Sequence, residues 1–317
     1  MIRLIRYKTL QKHVSHDTVS EFENKIVETS LVDNYLISNA EVFTNRLLTK
    51  IFFKKFGVNF SSIPKREVVN FCIMLGDEYH KAIWPFFTSN HNNAYFFDAW
   101  PSNHFFIEKF IRSFNLKNVF FSSKQVVDIF KQKNLNCKFH WVPEGIDTEN
   151  YKFKEYEHKD IDVLAFGRKF NKLHDLIVDG LNSDNIIYLY EEKPGHIIFP
   201  TREEFLNGLS RSKISICIPS NITHPERSGK ISTMTVRYLQ SMASKCLILG
   251  FMPEDMKDLF PYMPIINLDI CNPLAQIKDI IKNYASYQEL IEKNYNYTKE
   301  NHSWLNRWLV IKKILDH

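Results

Sequence analysis

The chain has 317 residues, 44% hydrophobic and 24% charged, which is long enough for two ordinary domains and balanced like a soluble globular protein. Its formal net charge of +5, with a pI near 8.7, is too small a basic excess to argue for nucleic acid, so none is expected as a partner. The five cysteines (Cys72, Cys137, Cys217, Cys246, Cys271) are scattered and form no C-x-x-C pair. That excludes a disulfide framework or zinc site and fits buried free thiols in a reducing compartment.

The first residues, Met1 to Lys8, are broken by charges and lack the apolar stretch of a signal peptide. No apolar run approaches the roughly 20 residues that span a bilayer, and a cytoplasmic protein is expected. The first 60 residues carry no clear period. Beyond them, short apolar runs alternate with amphipathic stretches. Strands are expected over 68–74, 93–97, 118–121, 138–142, 162–166, 186–190, 214–218, 246–249 and 264–266, with helices over 104–114, 124–133, 203–211, 233–244 and 277–284. This alternation predicts an α/β fold with parallel strands, built as two Rossmann-like halves across a cleft. Pro143 and Gly145 punctuate the boundary, giving domains over 1–147 and 148–300 and a last helical segment over 301–317.

The most informative stretch runs from Ile214 to Gly250: a strand ended by Pro219, a polar loop over 220–230, a helix opening near Ser232 and a second strand. A helix N-terminus at the end of a parallel strand is a phosphate site in waiting. Ser232, Thr233 and Thr235 can cap that helix or offer hydroxyls and amides to phosphate oxygens. Just past another strand end, Arg168 and Lys172 can supply cations. Ser228-Gly229-Lys230 is not a P-loop, because G-x-x-x-x-G-K-[ST] is absent.

Four features carry a family resemblance over roughly residues 140 to 270: Pro143-Glu144-Gly145-Ile146-Asp147 followed by Tyr151; Phe166-Gly167-Arg168; Thr235-Val236-Arg237-Tyr238-Leu239-Gln240; and Cys246 to Gly250. They resemble, in order and spacing, the interdomain signature and donor-site motifs of GT-B glycosyltransferases of the family 4-like ("group 1") type. The T-x-R-x-x-[EQ] form is similar to the branch related to spore-maturation CgeB-like proteins. The resemblance implies a GT-B-like fold with nucleotide-sugar as donor substrate, no further cofactor and no required metal. It also implies transfer to a saccharide, a lipid-linked saccharide or another hydroxyl acceptor, as in bacterial surface polysaccharide biosynthesis. Arg168 and Lys172 would neutralise the diphosphate, Ser232 to Thr235 would hold phosphate, and Arg237 and Gln240 would hold phosphate or ribose. The last helix would cross back onto the N-terminal domain. The chain departs from the family's E-x7-E pattern: with Gln240 at the second glutamate, Ser232 falls at the first. Glu226, in the preceding loop, is the carboxylate that could stand in. The departure keeps two rivals open, an inactive partner subunit and a nucleotide-sugar epimerase of the same fold.

In the N-terminal half, His80 and Asp98 follow apolar strands, as do Asp77 and His104. Groups at strand ends can orient a sugar or take a hydroxyl proton; capping or a buried hydrogen bond is the other explanation, and the better one for Asp77 and Asp98. Asp160-Ile161-Asp162 matches a manganese-binding D-x-D but opens a strand instead of ending one, so no metal site is expected. The base is expected near Ile198 to Thr201. The basic, aromatic stretch over 104–133 and the segment Trp304 to Leu315 are read first as core-facing helices, and they would also allow peripheral contact with a membrane.

Overall fold

The computed structural model describes residues 1–7, 17–48, 66–76, 83–167, 169–193 and 195–316. The N-terminal half contains β1 (Ile2–Tyr7), α1 (Asp17–Thr29), β2 (Asp33–Ile37), α2 (Asn39–Leu48), β3 (Arg66–Leu75), α3 (Ile83–Phe87), β4 (Ser89–Phe97), α4 (His104–Phe114), β5 (Asn118–Phe121), α5 (Lys124–Lys131) and β6 (Lys138–Trp141). Its parallel sheet has the order β2-β1-β3-β4-β5-β6. The C-terminal half contains β7 (Ile161–Ala165), α6 (Asn171–Ser183), β8 (Tyr188–Tyr190), α7 (Arg202–Ser210), β9 (Ser212–Cys217), α8 (Ser220–Thr223), α9 (Pro225–Ser228), α10 (Val236–Ala243), β10 (Leu247–Gly250), β11 (Ile266–Asn267) and α11 (Pro273–Lys282). Its parallel sheet runs β11-β10-β9-β7-β8. Two helices follow, α12 (Gln288–Asn301) and α13 (Trp304–Leu315).

Both sheets are covered on both faces, so their strands are apolar at successive positions and still sort by parity. In β3, Phe71 and Ile73 face one core while Cys72 and Met74 face the other. In β9 and β10, Ile214, Ile216, Leu247 and Leu249 share one layer, and Cys217 and Ile248 the opposite one.

Helix α13 belongs to the core of the first half. Trp304, Trp308, Ile311 and Leu315 pack with Phe22 of α1 and with Phe71 and Tyr95 of the sheet. Trp304 stacks on Phe22 with ring centroids 4.4 Å apart. The chain thus passes between the halves twice, and the two passages are pinned together. Ile146 N donates to His302 O at 2.9 Å, and Trp304 N donates to Ile146 O at 3.2 Å. Position 145 must be glycine here, because a Cβ would sit 2.9 Å from the Trp304 ring. Arg307 fastens the same point, donating to Glu144 O at 3.2 Å and pairing with His302 Nδ1 at 2.6 Å. Burial and the Arg307 charge push His302 down to about 3, so a neutral ring accepts that bond.

Two expectations need correction, and one stretch without an assignment is now placed. The helix placed over 233–244 begins only at Val236, and the loop before it contains the one-turn helices α8 and α9. Only Cys72, Cys217 and Cys246 are buried thiols; Cys271 is exposed and Cys137 is half-buried. The unassigned first stretch holds β1, α1, β2 and α2.

Candidate functional site

The carboxyl ends of both sheets face one cleft. From the first half come Asp98, Ala99 and Trp100 after β4, Ser122 and Ser123 after β5, and Glu144 after β6. From the second come Ile231, Thr233 and Thr235, and together these line one open pocket. Asp98 has a left-handed backbone, with φ of 48°, and its carboxylate meets Arg227 of α9 at 3.1 Å. Burial raises the Asp98 pKa and the Arg227 charge opposes that rise. The Arg227 guanidinium also lies over the Trp100 ring, 5.6 Å from its centre.

The start of α10 is held by side chains from both halves. Ser232 N donates to Gln125 Oε1 of α5 at 2.6 Å. Thr233 Oγ1 and Met234 N donate to the two Asp255 oxygens at 2.5 and 2.7 Å. Val236 N, the first amide of the helix, donates to Glu144 Oε2 at 2.5 Å. A helix N-terminus favours such anions. Burial nevertheless pushes Glu144 up to about 8, with the nearby Asp98 charge adding to the rise, and pushes Asp255 up to about 6. Thr235 Oγ1 is buried and has no partner among the described residues.

In the second half the chain goes from β7 outward to β8 and then returns to build β9 on the other side of β7. The crevice between β7 and β9 is therefore the topological switch point, where open α/β sheets bind ligands. Arg237, in the first turn of α10, bridges it. Its Nη1 donates to Phe166 O and its Nη2 to Ile218 O, both at 3.4 Å. Gly167 lets the guanidinium approach. Its φ is 79°, and a Cβ there would lie 3.3 Å from Arg237 Cδ and Nη1. No ion pair to Arg237 forms among the described residues. It is a cation held by carbonyls, and it acts on the Asp98 and Glu144 carboxyls without a direct ion pair.

The remaining expected residues are placed as follows. Lys172 is exposed in the first turn of α6, and Glu226 is exposed on α9. Gln240 is buried and donates to the Tyr151 hydroxyl at 3.2 Å. Arg168, Asp77 and His80 lie outside the described residues. His104 does not line the pocket itself but contacts the lining residue Ala99 at its O, 3.0 Å away, and packs on Phe130 behind it. Thr201, where the base was expected, closes a capping box with Glu204 at the start of α7. Asp160 and Asp162 pair with Arg211 and Lys213. Among the described residues, no three His, Cys, Asp or Glu side chains converge as metal ligands, and no helix is long and apolar enough to cross a membrane.

Sequence reasoning missed Glu144, Asp255, Gln125 and Arg227. Glu144 was visible as the variable residue of P-x-G-I-D, but nothing in that motif says that its side chain is buried against another helix. Arg227 adjoins the expected Glu226 and is the one of the two that reaches across the cleft.

No family model matches the chain, and no curated protein matches it by sequence. Solved structures do match in fold. The Anabaena protein Alr3699/HepE, in complex with UDP-glucose, superposes with a TM-score of 0.61 at 8% identity, over 99% of each chain. An alpha-glucosyltransferase in complex with UDP-glucose and DNA containing an abasic site gives 0.60 at 10% identity, over 100% of this chain and 99% of that one. TarM gives 0.56 at 11% identity, with 89% of this chain lying over 59% of its length. The chain has the GT-B fold: two Rossmann-like domains facing each other across a cleft, as in these glycosyltransferases.

The exclusion of nucleic acid has to be withdrawn. Among the structures sharing this fold are the glucosyltransferase bound to DNA and a beta-glucosyltransferase described as a DNA modifying enzyme. Net charge was the wrong quantity, because phosphate contacts depend on local arrays of cations.

Proposed function

We propose that this chain is a glycosyltransferase that moves a sugar from a nucleotide-sugar donor to a hydroxyl acceptor. The observation that carries it is Arg237, a guanidinium fixed by carbonyls, with no direct ion pair among the described residues, at the β7/β9 switch point beside the start of α10. A departing nucleoside diphosphate gathers negative charge in the transition state, and a fixed cation aimed at it lowers the barrier without reorganising. Lys172 and Arg168 follow the same strand end and would add charge, so the countercharge in this reading comes from side chains and needs no metal. Thr235 Oγ1 is the hydroxyl free to reach a phosphate oxygen. Ser232 and Thr233 hold the helix start in place, and Gln240 supports Tyr151. Across the pocket, Asp98 is the carboxylate positioned to take the acceptor's proton, with Arg227 holding it; Glu226 and His80 are further candidates. A saccharide hydroxyl is the acceptor this reading favours.

Two of the similar structures hold UDP-glucose, so UDP is the first nucleotide to try. Calorimetric titration with UDP, GDP, ADP and CMP should give micromolar binding of one of them. In Arg237→Ala that affinity should fall about 10- to 100-fold, a loss of about 1.4–2.8 kcal/mol, while the melting temperature confirms folding. No nucleotide binding at all would favour an inactive partner subunit.

A further inference from the structure

The first amide of α10 is not free: the Glu144 carboxylate holds it at 2.5 Å. Glu144 belongs to the passage between β6 and β7, so this contact joins the two halves. It lines the same pocket as Thr235 and Ser123. Both hydroxyls there are unspent, for Thr235 Oγ1 and Ser123 Oγ have no partner among the described residues, and Ser123 is only 4% exposed. The Arg237 charge also acts on the carboxyl. A carboxyl oxygen on a helix-start amide, beside two idle hydroxyls and a fixed cation, stands where a phosphate oxygen would.

We propose that Glu144 occupies the phosphate position at the start of α10, so that a nucleoside diphosphate binds there only by displacing it. This rests on the donor-site reading above and adds to it a competition between the chain's own carboxylate and the ligand. One N–H cannot serve two acceptor oxygens at the same position, and any charge on Glu144 would add repulsion. The Glu144 side chain must swing away, handing the Val236 N–H to phosphate. Burial and Asp98 push its pKa up to about 8 only while it stays in this site, so leaving it gives the proton back to water. Leaving α10 also breaks a bond that ties the two halves together, which links donor arrival to the opening of the cleft.

The experiment is calorimetric titration of UDP and of inorganic pyrophosphate into the wild type, Glu144→Ala and Glu144→Gln, with melting curves to confirm folding. The alanine variant should bind both ligands at least about 10-fold more tightly. The glutamine variant keeps the acceptor oxygen without the charge and should fall between. At about pH 8 displacement returns Glu144 to its ordinary range, so the wild type should release protons on binding UDP, read from buffers of different ionisation enthalpy, and neither variant should. UDP binding that is equal or weaker in the variants overturns the competition and leaves the donor site standing. Failure of both ligands to bind all three proteins overturns both ideas. If the alanine variant does not fold, the glutamine variant decides.

Discussion

Glu144 also leaves a thermodynamic signature that needs no ligand. Its pKa is about 8 in the folded chain against an ordinary 4.5, so between those limits the native state binds more protons than the unfolded one. Stability is then highest below the lower value and drains away as pH rises through the upper. Asp98 and Asp255 raise this pKa, while the Val236 amide and Arg237 oppose the rise. Asp255, pushed to about 6, and Glu21, pushed to about 7, contribute with the same sign. The melting temperature should therefore fall steadily from about pH 5.5 to about pH 8.5, and Glu144→Gln should flatten part of that fall. An identical slope in the variant would show that Glu144 titrates as an ordinary carboxyl. None of this was legible in the sequence. The Asp98, Glu144 and Asp255 carboxyls are far apart along the chain and meet only because two sheets present their carboxyl ends to one cleft. The position of Arg237 in the first turn of a helix after a strand was legible, because both features are local.

At the scale of elements, legibility followed periodicity. The helix His104–Phe114 and the strand Asn118–Phe121 have the bounds that their apolar spacing implies. The first strand did not declare itself, because Arg3 and Arg6 interrupt its apolar run. Those charges are accommodated by Asp33 at 2.6 Å and Glu23 at 3.2 Å, partners that no local pattern reveals. The start of α10 shifted to Val236 for a similar reason: Gln125 and Asp255 take the amides of Ser232 and Met234 and keep that segment extended ahead of the helix. Helix α13 looked amphipathic enough for a membrane surface, yet its tryptophans are spent inside. Trp308 is fully buried, lies 5.8 Å from Phe71 and donates to Ser30 Oγ at 2.6 Å. Replacing it with alanine removes the ring and leaves a cavity between α1, α13 and the sheet. Trp308→Ala should cost about 3–5 kcal/mol, seen as a lower urea midpoint. A loss under about 1 kcal/mol, the range of surface substitutions, would mean that the helix is not docked in this way.

For the whole molecule, the question is whether the two halves unfold together. Each has its own parallel sheet and could be expected to melt separately. Three arrangements argue otherwise. The core of the first half is completed by α13, which enters from the second half. The two passages of chain are bonded to each other through Ile146, His302 and Trp304. Further contacts span the halves: Glu21 with Arg202 at 2.8 Å, Lys124 with Asp258, and Gln125 with Ser232. The surface pair Lys124–Asp258 adds little, about 0–1 kcal/mol; the buried helix is what couples the halves. The five tryptophans make this testable, because Trp84, Trp100 and Trp141 lie in the first half and Trp304 and Trp308 lie on α13 in its core. Tryptophan fluorescence thus reports on the first half and its docked helix, whereas far-UV circular dichroism reports on both sheets. The two signals should trace one coincident urea transition, as all-or-none unfolding requires. A second dichroism step without a fluorescence change would reveal a C-terminal half that stays folded alone, and would show that α13 can leave its seat without unravelling the sheet that precedes it.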